Sequence, residues 1–349
     1  MSAESKNRYL DVLQIFRGIA ALMVVIHHAI GSLHYYHNLD YALLNFLGKF
    51  GKLGVDFFFV LSGFIISYSA YYKYNEPDSF KNYLQNRIIR VYVPYLPIGI
   101  LMYVLYAFLP GFSNGNREIS LVTSLTLFPK GNPALSVAWT LTFELGFYLL
   151  FSISYYSKKI WNTFAVMWTV LILLFNYSKL DNSLILQYHV FRVFFSTYNI
   201  EFLIGYVLSL IIIHKIKISL NQKILGLFTL LLLYFGPIFF SIEIPEFYFN
   251  FSFALTVFYL LYLVITSFSK KIPKTALMMY VGNASFSVYL IHNPLQMMIL
   301  RLYPKINSVP NLITSLILVL FLSSLFGYLY YLIFEKKYME FVKSKLKKK

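Results

Sequence analysis

The sequence predicts an all-α, polytopic integral membrane protein of about ten transmembrane helices with both termini in the cytoplasm, and three observations predict it. The 349 residues are 58% hydrophobic, 20% aromatic and only 13% charged, with a mean hydropathy of +0.64, outside the range of soluble domains. Apolar runs long enough for a hydrocarbon core of ~30 Å recur along the chain. With the N-terminus inside, 21 of the 30 Lys and Arg fall in cytoplasmic segments and 8 in outer ones, the bias that orients membrane helices.

The first run, 13–33, carries Arg17 and His28 in FRGIAALMVVIHH. At about 100° per residue, eleven steps return to within about 20° of the start and rise about 16 Å, so both side chains lie on one stripe. The second run, 53–72, has Asp56 near its outer start, after Gly54. Ahead of the third, 92–110, Arg87 and Arg90 sit on the cytoplasmic side in QNRIIRVYVPY. The fourth, 135–156, begins outside and holds Trp139, Glu144 and Tyr148, with Glu144 in its outer half. Runs at 161–177, 196–213, 224–242 and 248–267 follow. The ninth, 277–300, brings His292 to its outer part just before Pro294, and the tenth is 311–334. The chain reads as one membrane domain, 1–349, with spans over about 13–335, a basic tail at 336–349 and no appended soluble domain.

The net charge of +16 is accordingly no nucleic-acid signal. Most of it is the cytoplasmic bias plus the tail KKYMEFVKSKLKKK, which anionic lipid headgroups attract. Cysteine is absent, so disulfide, thiolate and zinc–cysteine chemistry are excluded. No metal-ligand spacing, phosphate loop, dinucleotide fingerprint or strict internal repeat is visible, and the loose group His27, His28, His34 and His37 lacks paired carboxylates. An ionisable side chain costs roughly 2.5–3.5 kcal/mol at a bilayer centre and usually faces a cavity, a partner or a substrate path. The competing reading has Arg17 snorkel to the headgroups while His28 reaches the opposite interface.

Six segments in order resemble the bacterial acyltransferase-3 family of membrane acyltransferases: LDVLQIFRGIAALMVVIHHA, FGKLGVDFFFVLSGFII, RIIRVYVPY, AWTLTFELGFYLLF, VGNASFSVYLIHNPL and FEKKY. They run from residue 10 to residue 338, and the family's histidine falls on His28 rather than His27. Gln14 and TLTFE are similar to the branch that decorates exopolysaccharides, lipooligosaccharides and O-antigens. The resemblance implies an enzyme of the bacterial inner membrane that moves an acyl group, acetyl foremost, from acyl-coenzyme A to a carbohydrate hydroxyl. The esterase-like soluble domain of one known architecture in the family has no counterpart here.

The residues fit that chemistry. Transfer to an alcohol needs a base for the hydroxyl proton and a donor for the developing oxyanion. His28 is the natural base, since imidazole titrates near neutrality, with Glu144 or Asp56 to orient it. N-terminal capping explains Asp56 equally well, and Glu144 can equally pair with a buried cation. Arg87 and Arg90, at i and i+3, share a helix face suited to bidentate capture of the coenzyme A phosphates, with Arg17 deeper along the same cofactor. Positive-inside anchoring is the alternative for that arginine pair. Trp139, Tyr148 and His292 are candidates to contact the sugar, each also readable as an interfacial, core or helix-bend residue, and Gly54, Ser62 and Gly63 read as helix packing. The rival from another class is a transporter or flippase of lipid-linked saccharides with an Arg17, His28 and Glu144 path.

Overall fold

The computed structural model describes residues 3–109, 118–177, 187–240, 242, 246–268 and 276–346. Arg117, Lys179, Lys270, Lys271, Lys274 and the last three lysines, which enter the charge count, lie outside the described residues. In chain order the helices are α1 (Ala3–His37), α2 (Ala42–Lys52), α3 (Gly54–Tyr71), α4 (Ser79–Phe108), α5 (Leu121–Thr126), α6 (Trp139–Phe151) and α7 (Ile153–Tyr156). They continue as α8 (Lys158–Tyr177), α9 (His189–Phe194), α10 (Tyr198–Ile213), α11 (Leu220–Phe239), α12 (Glu246–Leu263), α13 (Ala276–Leu302), α14 (Val309–Tyr330) and α15 (Met339–Leu346). Among the described residues there is no strand, only an isolated bridge between Ile119 and Asn132.

Among the described residues, nine helical stretches are long and apolar enough to cross a membrane. The tenth long helix, α13, has 27 residues and would rise about 40 Å. Its lower hydropathy has a structural cause. Ser285, Ser287, His292, Asn293 and Gln296 are all buried, because α13 packs against α1 and α14 inside the bundle. The protein is therefore an all-α, multi-pass membrane protein.

Local chemistry sets several helix ends. The Ser308 hydroxyl caps α14 by accepting from the Asn311 amide, with Pro310 in the first turn, where a missing N–H is harmless. Ser219 and Gln222 form a reciprocal capping box at the start of α11, satisfying two orphan donors. Pro94 and Pro97 interrupt the hydrogen-bond ladder of α4, and the Tyr330 hydroxyl donates to the Pro94 carbonyl at 2.6 Å.

Two expected boundaries move. The segment ahead of residue 53, read from sequence as outer loop, is largely α2, and the span runs Ala42–Tyr71 with a break at Leu53. Its lysines Lys49 and Lys52 disguise it, while its small residues pack it on α1. A Cβ added at Gly51 would meet the Met23 carbonyl, and one at Gly54 the Ala20 carbonyl. Gly54 thus lies level with Ala20, and Asp56 sits deep in the bundle rather than near the outer surface. In α4 the helix starts at Ser79, so Arg87 and Arg90 are inside it rather than ahead of it.

Close backbone approach fixes the two helix pairs that frame the site. On α1 and α13, a Cβ at Gly18 would come within 3.1 Å of the Gly282 nitrogen, and one at Gly282 would overlap the Gln14 carbonyl. On α3 and α10 the relation is reciprocal: Gly63 faces the Phe202 carbonyl and Gly205 the Val60 carbonyl. Small residues let membrane helices meet backbone to backbone in this way.

Candidate active site

Arg17 and His28 lie on the uninterrupted helix α1, and both face α13, as the eleven-residue spacing requires. Level with Arg17, Gly18 touches Gly282; level with His28 stands His292, whose Nε2 lies 3.2 Å from His28 Nδ1. One turn beyond, the Gln296 amide donates to the Val25 carbonyl at 3.0 Å and locks the register. His27 points elsewhere, its Nδ1 donating to the Gly48 carbonyl of α2 at 2.8 Å.

A narrow cavity with about 40 Å³ of water-accessible space is lined by Arg17, Ser62, Thr140, Glu144, Phe286 and Tyr289, among others, room for two or three waters. Glu144 accepts a hydrogen bond from the Tyr148 hydroxyl and a long one, 3.5 Å, from Ser62 Oγ. At the other end of the cavity the Thr140 and Tyr289 hydroxyls are 2.7 Å apart, and the Tyr289 ring lies 5.7 Å from the His292 ring. Glu144 is one helical turn from Thr140 and lines the same cavity as Arg17.

Arg87 and Arg90 share a face of α4 but serve different neighbours. Arg90 Nη1 is 2.9 Å from Glu335 Oε1, and Glu335 Oε2 accepts from Ser287 Oγ at 2.8 Å. Arg87 donates to Ser69 Oγ at 3.3 Å, and its guanidinium stands 5.6 Å from the Tyr148 ring centre. Beyond Arg87 a larger cavity of about 350 Å³ opens between the end of α3 and the start of α4, lined by Lys73, Glu76, Asn82, Asn86, Arg87 and Tyr155.

Several role assignments drawn from sequence need correction. Neither Glu144 nor Asp56 is a partner of His28. Asp56 is hydrogen-bonded to Glu201 of α10, because the α2 segment carries it too deep to reach the outer end of α1; both acids are buried. His292 has no exposed surface and contacts His28. Tyr148, also buried, belongs to the Glu144 and Arg87 cluster. Trp139 is 36% exposed in an edge-on aromatic group with Phe59 and Phe143. Sequence reasoning gave no role to Glu335, Ser287, Thr140, Tyr289 or Glu201. The FEKKY segment contains Glu335, AWTLTFELGFYLLF contains Thr140 and VGNASFSVYLIHNPL contains Ser287 and Tyr289, but no motif segment covers Glu201.

The acyltransferase-3 family model, described as an acyltransferase domain, matches residues 7–332. The chain belongs to the acyltransferase-3 family. Its match contains every residue of the cavity and both histidines, so this membrane protein is an acyltransferase. No curated relative and no solved structure matches the chain.

Proposed function

We propose that this acyltransferase moves an acyl group, acetyl foremost, from acyl-coenzyme A to a hydroxyl of a cell-surface or lipid-linked carbohydrate in the bacterial inner membrane. One observation carries the reading, a line of polar groups through the bundle, some hydrogen-bonded and others facing a common cavity or a neighbouring ring. It leads from the cavity at Lys73 and Arg87 to Tyr148, then Glu144 with Arg17, then Thr140 with Tyr289, and ends at His292 and His28. The larger cavity offers cations to the phosphates of the nucleotide, which guanidinium groups bind strongly. From there the pantetheine arm extends inward past Arg17, and the thioester meets His28, which removes the acceptor proton. The narrow cavity admits an arm only when the Phe58, Phe59 and Tyr289 rings that line it turn aside. Binding of donor therefore opens the path that the free enzyme keeps closed, which also withholds water from the thioester. The choice of exopolysaccharide, O-antigen or lipooligosaccharide as acceptor rests on Gln14 and the TLTFE segment.

The test supplies radiolabelled acetyl-coenzyme A to the cytoplasmic face of sealed inside-out vesicles made from cells that express the protein. Label should enter glycan enclosed in the lumen. Arg87→Ala should weaken binding of coenzyme A, whereas His28→Ala should bind it normally and transfer ~10²–10⁴ more slowly. Failure of the purified wild type either to transfer or to hydrolyse acetyl-coenzyme A, with uptake that needs a sealed membrane and a gradient, would favour a saccharide transporter.

A further inference from the structure

The contacts of the two histidines determine which nitrogen carries each proton. His292 Nδ1 lies 3.2 Å from the Val288 carbonyl and His28 Nδ1 lies 3.1 Å from the Val24 carbonyl. A carbonyl oxygen only accepts, so each Nδ1 must be the N–H donor. Neutral His292 then presents a lone pair at Nε2, and that atom is the one 3.2 Å from His28 Nδ1. The His28 N–H is thus shared between a carbonyl and an imidazole nitrogen, and neither bond uses His28 Nε2.

We propose that His292 is a positioning residue that holds His28 in its Nδ1–H tautomer and accepts a hydrogen bond from it throughout the acyl transfer, taking the place that a carboxylate has in a hydrolase triad. The proposal rests on His28 being the base. The acceptor hydroxyl gives its proton to His28 Nε2 as its oxygen bonds to the thioester carbonyl carbon. The carbon–sulfur bond then breaks, and the departing thiolate takes the proton back from His28 Nε2. His292 neither gains nor loses a proton. Its lone pair faces the His28 Nδ1–H when the ring becomes a cation, so the charge develops against a fixed acceptor rather than against apolar side chains. Burial suits His292 to hold that acceptor still, since it has no exposed surface and Gln296 and Ser285 beside it on α13 are also buried. The register of α1 against α13 cannot slip without separating the two rings.

Two amides separate the two halves of the histidine's work. Asn at 292 keeps a donor near the position of Nδ1, for the Val288 carbonyl, and lacks an acceptor that reaches His28. Gln places an acceptor near the position of Nε2. Transfer of label from acetyl-coenzyme A to the glycan of membranes is measured for the wild type, His292→Asn, His292→Gln and His28→Ala, alongside binding of coenzyme A to each purified protein. The expected result is a fall of ~10²-fold or more in kcat for His292→Asn, with KM and coenzyme A affinity unchanged, and recovery to within about tenfold of wild type in His292→Gln. Wild-type kcat in a folded His292→Asn would overturn the proposal. If His292→Asn does not fold, His292→Gln decides alone, and a loss as deep as that of His28→Ala sinks the idea. Full activity in His28→Ala would instead remove the base itself, a failure of the underlying reading that is recognisable apart from the fate of His292.

Discussion

Arg90 and Glu335 give the sharpest quantitative expectation, because the two partners differ in their access to water. The Glu335 side chain is 2% exposed and that of Arg90 29%. Arg90→Met strands a buried carboxylate whose remaining partner among the described residues is the Ser287 hydroxyl. Removing one member of a buried pair typically costs about 3–5 kcal/mol. Glu335→Gln leaves a guanidinium that water can still reach, and the amide oxygen can keep the Ser287 bond, so its cost should be about 1–2 kcal/mol. At roughly 2.1 cal/mol/K per residue, a chain of 349 residues has an unfolding entropy of about 0.7 kcal/mol/K. Arg90→Met should then lower the melting midpoint by about 4–7 °C and Glu335→Gln by about 1–3 °C. Helices that persist in detergent reduce that entropy and enlarge both shifts. The double variant Arg90→Met with Glu335→Leu should melt close to the wild type, since replacing both charges removes the desolvation penalty together with the attraction. The assay is the midpoint for loss of the monodisperse peak after heating in detergent. A midpoint for Arg90→Met no lower than that for Glu335→Gln would refute the reasoning, as would a double variant less stable than Arg90→Met alone.

Two further outcomes follow from the site and from the packing around it. Glu144→Gln keeps an acceptor for Tyr148 and Ser62 but removes the charge that shares a cavity with Arg17; label transfer should fall ~10²–10³-fold and coenzyme A should bind more weakly, and an unimpaired variant would make Glu144 a packing residue. Gly63→Ala drives a methyl group into the Phe202 carbonyl and should cost about 1–3 kcal/mol, whereas Gly146→Ala on α6 meets nothing within 4 Å and should gain up to about 1 kcal/mol of helix propensity; equal melting midpoints for the two variants would contradict the close approach of α3 and α10.

Most of the bundle was legible because apolar runs of about twenty residues have few other uses. What escaped was α2, where Lys49 and Lys52 break the run and burial shows only in the fit of Gly51 and Gly54 against α1. That omission displaced Asp56 toward the outer surface and made it a plausible partner for His28. Arg17 and His28 were found because a straight helix converts a spacing of eleven into a shared face. His292 could be placed at roughly the right depth by the same counting. Its contact with His28 joins residues 264 apart in the chain, and no local pattern encodes a lateral contact between two helices. Glu335 shows the same limit, since its partner Arg90 is set by where the π-helical segment Tyr331–Tyr338 that continues α14 packs against α4.

The acids and cations of the interior divide according to whether the protein already satisfies them. A buried charge is tolerated when an opposite charge or a shared proton offsets its desolvation. Glu335 has Arg90. Asp56 and Glu201 have each other, and two carboxyls joined by a hydrogen bond hold at least one proton between them. Arg17 and Glu144 differ from these pairs: among the described residues they line one cavity without forming a salt bridge across it, Arg17 reaching Gln14 at 3.4 Å and Glu144 held by Tyr148 and Ser62. Such a pair is costly to keep in an empty bundle and becomes favourable when a polar guest bridges it. A pantetheine arm carries amides that both donate and accept, which suits an arginine on one wall and a carboxylate on the other. On the proposed function, the stability withheld at Arg17 and Glu144 is thereby available as binding energy for the donor, about 16 Å along one helix face from His28, the proposed base.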